Sequence, residues 1–63
     1  MYSVSWTVPF DSEADPLLLP DSDKLELSEI IETCVSFGVK ATLFNEQGFN
    51  KGWVDQSGNY NLN

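Results

Sequence analysis

The chain has 63 residues, and three Lys+Arg against ten Asp+Glu give it a formal net charge of −7. That length allows one small domain, which buries only about 60% of its unfolded surface and gains stability from a partner or from self-association. One Cys and no His exclude an intrachain disulfide and the usual zinc site. The acidity argues against direct nucleic-acid binding and against anionic membrane surfaces, because phosphates are held by Lys and Arg.

Tyr2, Val4, Trp6 and Val8 alternate with Ser3, Ser5 and Thr7, which predicts a half-buried strand over residues 1–8. Residues 9–27 contain Pro9, Pro16 and Pro20 and six of the ten acids. They read as a long acidic loop, a feature that is often functional. Leu17-Leu18-Leu19 interrupts its polarity, and the flanking prolines disfavour a helix there. Leu27, Ile30, Ile31, Cys34 and Val35 then fall at helical spacing and predict a helix over 28–37 with one apolar face. Ser28 is the expected N-cap and Gly38 the expected C-terminal stop; Leu25 then falls in the loop, and an earlier start with Asp23 as cap is the alternative.

Residues 39–62 read as a three-stranded meander. Asn45-Glu46-Gln47-Gly48 and Asp55-Gln56-Ser57-Gly58 are two turns of the same pattern, ten residues apart. The fold class is therefore α+β, in the order β-α-β-β-β, with the helix on one sheet face. If both turns are four-residue loops, Phe44 pairs with Phe49 and Val54 with Asn59. Val39, Ala41, Leu43, Gly52 and Val54 then face the helix. Lys40, Thr42, Phe44, Phe49, Lys51, Trp53, Tyr60 and Leu62 form the other face, and a three-residue loop in either turn would break this assignment. The second face is expected to be covered by the long loop, to bind another protein or a second copy, or to stack nucleobases, an option the charge counts against.

The charge is uneven. Asp11, Glu13, Asp15, Asp21, Asp23, Glu26, Glu29 and Glu32 against Lys24 alone leave −7 in residues 1–32, while Glu46 and Asp55 balance Lys40 and Lys51 in the remainder. No enzyme is expected. The commonest general base is absent, and Cys34 lies on the apolar helix face as a small buried thiol. Asp11-x-Glu13-x-Asp15 and Asp21-x-Asp23 lack the Gly and the final Glu of a calcium loop, so no metal or cofactor is expected.

No stretch approaches the roughly 20 apolar residues of a membrane helix, and Met1–Trp6 has no basic n-region. The expectation is a soluble cytoplasmic protein, of its own cell or of a host. In type alone, the small acidic cysteine-poor α+β chain resembles inhibitors encoded by phages or mobile elements.

The leading functional expectation is a protein-binding module, an inhibitor or accessory subunit that occludes a partner's surface. Its candidate sites are the aromatic face (Phe44, Phe49, Lys51, Trp53, Tyr60) and an acidic set suited to a basic partner (Asp11, Glu13, Asp15, Asp21, Asp23, Glu29, Glu32). The alternatives are a homodimer packed through the aromatic face and a nucleic-acid mimic occupying a basic site.

Overall fold

Val4, Leu43 and Val54 come from three different strands and meet under one helix. A computed structural model describes this arrangement for all residues 1–63. The order is β1 (Ser3–Thr7), a 3-10 turn (Pro16–Leu18), α1 (Leu27–Phe37), β2 (Lys40–Phe44), β3 (Asn50–Val54) and β4 (Tyr60–Leu62). The strands form one antiparallel sheet in the order β1-β2-β3-β4. The chain is thus α+β, with four strands and one helix. No helix is long and apolar enough to cross a membrane.

Period-2 alternation in β1 turns Val4 inward opposite Leu43, and Trp6 opposite Ala41. Val54 joins them opposite Ala41. α1 lies on this face, with Ile30 and Cys34 fully buried. Leu25 belongs to the same core, and Tyr2, Trp6, Leu27 and Ile31 pack around it. Each such aliphatic side chain contributes about 1.5–3 kcal/mol through burial, so this one layer holds the domain together.

The helix starts at Leu27, one residue before the expected position, and its N-cap is Glu26 rather than Ser28. The reason lies upstream. Leu25 exchanges two backbone bonds with Tyr2, Leu25 N–H to Tyr2 O at 2.9 Å and Tyr2 N–H to Leu25 O at 2.8 Å. That anchors the chain immediately before the first turn. Glu29 Oε1 then accepts the Glu26 N–H at 3.2 Å, satisfying a donor that the helix leaves unpaired. At the other end Gly38 adopts φ 68°, ψ 36°, and the Val39 N–H donates to Cys34 O at 3.1 Å, a Schellman-type stop.

The hairpin register differs from the expected one. Asn45 N–H donates to Phe49 O at 3.0 Å, and Asp55 N–H to Asn59 O at 2.8 Å, so each turn holds three residues between the paired positions. Asn45 Oδ1 accepts from the Gln47 and Phe49 N–H groups, and Asp55 Oδ1 from those of Ser57 and Asn59. These side-chain bonds fix the short turn. Phe44 therefore faces Asn50, not Phe49, and Val54 faces Tyr60, not Asn59.

A bulge lies between Leu43 and Phe44, where the partners jump from Gly52 to Asn50 and leave Lys51 as the extra residue. Gly52 has φ 131°, and a Cβ there would collide with the Asn61 carbonyl oxygen. This position accepts glycine only.

Candidate interaction surface

The corrected register redistributes the aromatic residues. Tyr60 and Leu62 pair with Val54 and Gly52 and lie on the helix side of the sheet, not beside Trp53. The outer face instead carries Ser3, Ser5 and Thr7 from β1, Lys40, Thr42 and Phe44 from β2, Trp53 from β3 and Asn61 from β4. Of the five residues expected to form an aromatic face, only Phe44 and Trp53 share it. Phe49 stands in the turn before β3, 68% exposed, and Lys51 sits at the bulge. The face is mainly polar, with one half-buried and one exposed aromatic ring.

Nor does the long loop cover that face. Segment 20–25 runs along the outer edge of β1. Val4 N–H donates to Ser22 O at 2.8 Å, Trp6 Nε1 to Pro20 O at 3.2 Å, and Ser3 Oγ to Asp23 Oδ1 at 2.8 Å. With the Tyr2–Leu25 pair, these bonds close one edge of the sheet. Lys24 turns the chain there at φ 57°.

The earlier part of the loop projects its apolar residues outward. Phe10 is fully exposed, Leu17 is 90% exposed and Leu18 69%. The loop nevertheless has internal structure. Asp15 caps the 3-10 turn by accepting the Leu17 N–H at 3.0 Å, with Pro16 in the first helical position, where its missing N–H costs nothing. Ser12 N–H donates to Pro9 O at 3.0 Å, and Ser12 Oγ accepts the Ala14 N–H at 3.1 Å. Between residues 12–18 and the end of α1 runs a shallow groove of about 610 Å³, lined in part by Glu13, Asp15, Leu18, Val35 and Phe37.

Comparison with protein-family models, curated proteins and solved structures found no match.

The acidic residues divide into two kinds. Asp15, Asp21, Asp23 and Glu29 accept bonds from nearby backbone N–H groups, so they shape the chain that carries them. Asp11, Glu13 and Glu32 accept no such bond, and all seven carboxylates are exposed. Glu13 and Asp15 flank the groove, while Asp21 and Asp23 lie at the β1 edge and Glu29 and Glu32 on the helix.

The groove brings Glu13 and Asp15 of the loop together with Leu18 and with Val35 and Phe37 of the helix. Phe10, Leu17 and Leu18 were not singled out as contact residues. One signal was present in Asp15-Pro16-Leu17-Leu18, a capping residue followed by a first-turn proline. Cys34 is fully buried. Burial, and secondarily the Asp55 carboxylate, push its thiol from 9.0 up to about 11, well away from a reactive thiolate.

Proposed function

We propose that this chain is a small acidic protein-binding module, an inhibitor or accessory subunit. It docks through the loop of residues 10–18 and the groove that this loop shares with the end of α1. The observation that carries the reading is the exposure of Phe10, Leu17 and Leu18 beside Asp11, Glu13 and Asp15, on a segment with its own capping bonds. Three large apolar side chains standing in solvent within one loop are the kind of surface that a partner covers. A partly ordered segment loses less entropy on binding than a free one. The fitting partner is a protein with an apolar pocket rimmed by Lys and Arg. The carboxylates speed the encounter and set the orientation, and the apolar side chains slow release.

Charge and apolar variants separate the two contributions. Asp11→Asn, Glu13→Gln and Asp15→Asn together keep an oxygen for the Asp15 cap while removing charge. They are expected to slow association about tenfold at low salt, with dissociation nearly unchanged. Surface plasmon resonance between about 50 and 500 mM salt reads this directly, since exposed charges are screened over that range. Association that is the same for both proteins at every salt concentration contradicts the acidic part of the reading.

A further inference from the structure

β4 is the open edge of the sheet. Asn61 pairs with Trp53, and the Asn63 N–H donates to Lys51 O at 3.0 Å. By alternation, the N–H and C=O groups of Tyr60 and Leu62 point away from β3. Both residues are exposed, at 51% and 42%. Natural sheets protect such an edge with Lys, Pro or a covering segment. Here β1 has a covering segment, whereas Gln56–Asn63 contains no charged side chain and no proline.

We propose that β4 pairs antiparallel with β4 of a second copy, about a twofold axis at Asn61. Tyr60 then exchanges both backbone bonds with the partner's Leu62, and Leu62 does the same with the partner's Tyr60. The four unpaired groups of each strand are all satisfied, in a register that the twofold itself selects. Tyr60 and Leu62 lie on the same sheet face, so each meets the other type across the axis and covers its exposed apolar surface.

Charge favours a second copy at this edge. The entire −7 belongs to residues 1–32. Asp21 and Asp23 lie on the segment outside β1, four strand spacings from β4, or about 19 Å. That already exceeds the screening length of about 8 Å in physiological salt. In the dimer the two covered edges stand seven spacings apart, about 33 Å. The strands that meet carry no charged side chain, and the carboxylates of the covered β1 edges stay remote. With three residues per strand, the interface lies at the small end, below about 1,200 Å² in total, so the dimer is transient. It does not depend on the loop reading, and the two fail separately.

Asn61→Cys tests the register. Residues facing each other across the axis in this pairing have Cα atoms about 4.5 Å apart, within disulfide range. Cys34 is fully buried and does not compete. On mild oxidation, Asn61→Cys is expected to form a covalent dimer at least about tenfold faster than Ser57→Cys, which has an exposed turn position but no facing partner. Adding Tyr60→Lys and Leu62→Lys should reduce the rate to that of the control. Crosslinking of Asn61→Cys at the control rate overturns the proposal. So does a sedimentation coefficient of the unmodified chain that stays flat from about 10 µM to 1 mM; an upward trend supports it. If the lysine variant unfolds, the Asn61→Cys and Ser57→Cys comparison still decides.

Discussion

Cys34 gives the fold a pH dependence that can be isolated. Its thiol is raised from 9.0 to about 11 in the folded chain, so the folded state holds the proton more tightly than the unfolded state does. The associated stability is complete below about pH 9 and is lost as pH rises towards 11, by roughly 2–3 kcal/mol in total. Cys34→Ala removes the part of the alkaline loss that belongs to this group. Urea titrations of both proteins from pH 8 to 11 should therefore show their stabilities converging as pH rises; curves that stay parallel reject the assignment. Gly52 supplies a second residue-scale expectation. Its φ of 131° and the nearby Asn61 carbonyl mean that Gly52→Ala costs at least about 2 kcal/mol, read as a lower denaturation midpoint. The sequence identified Cys34 as a buried helix residue because helical spacing exposes such a position. It did not identify the special role of Gly52, because a bulge depends on which residue faces which across two strands.

At the scale of elements, the segment before the helix is held by few bonds. Trp6 Nε1 to Pro20 O is one of them. Trp6→Phe keeps most of the ring and removes this donor, at an expected cost of about 0.5–1.5 kcal/mol. Amide exchange should quicken at Leu25, whose N–H bonds to Tyr2, while Leu43 in the central strand keeps its protection; unchanged exchange at Leu25 contradicts the role given to Trp6. The four strands and the helix were legible from periodicity and from the two Asx-Gly turns. The helix start and the hairpin register were not. Leu25 lies off the helical stripe yet is buried through its pairing with Tyr2, a contact 23 residues away in the chain. The register depended on one residue of loop length. Asn45 and Asp55 shortened both loops by binding backbone N–H groups inside the turn, and that moved Tyr60 and Leu62 to the helix side.

The whole molecule is two-sided, though not as the sequence alone suggested. Charge asymmetry between the halves could be read directly from residue positions. The expected aromatic face could not, because it depended on the register. What stands in its place is a mainly polar outer face, a closed β1 edge, an open β4 edge and a loop that holds Phe10, Leu17 and Leu18 in solvent. The central claim is that this loop binds a protein partner. The most direct measurement is quantitative affinity capture with three forms of the chain: unmodified, Phe10→Ser/Leu17→Ser/Leu18→Ser, and Phe49→Ala/Trp53→Ala. The three loop residues are largely exposed, so their replacement should leave the circular dichroism spectrum unchanged. The account predicts one protein with a basic surface retained by the unmodified chain and by the Phe49/Trp53 variant, and reduced at least about tenfold on the loop variant. Equal retention by the loop variant, or loss only from the Phe49/Trp53 variant, would contradict it.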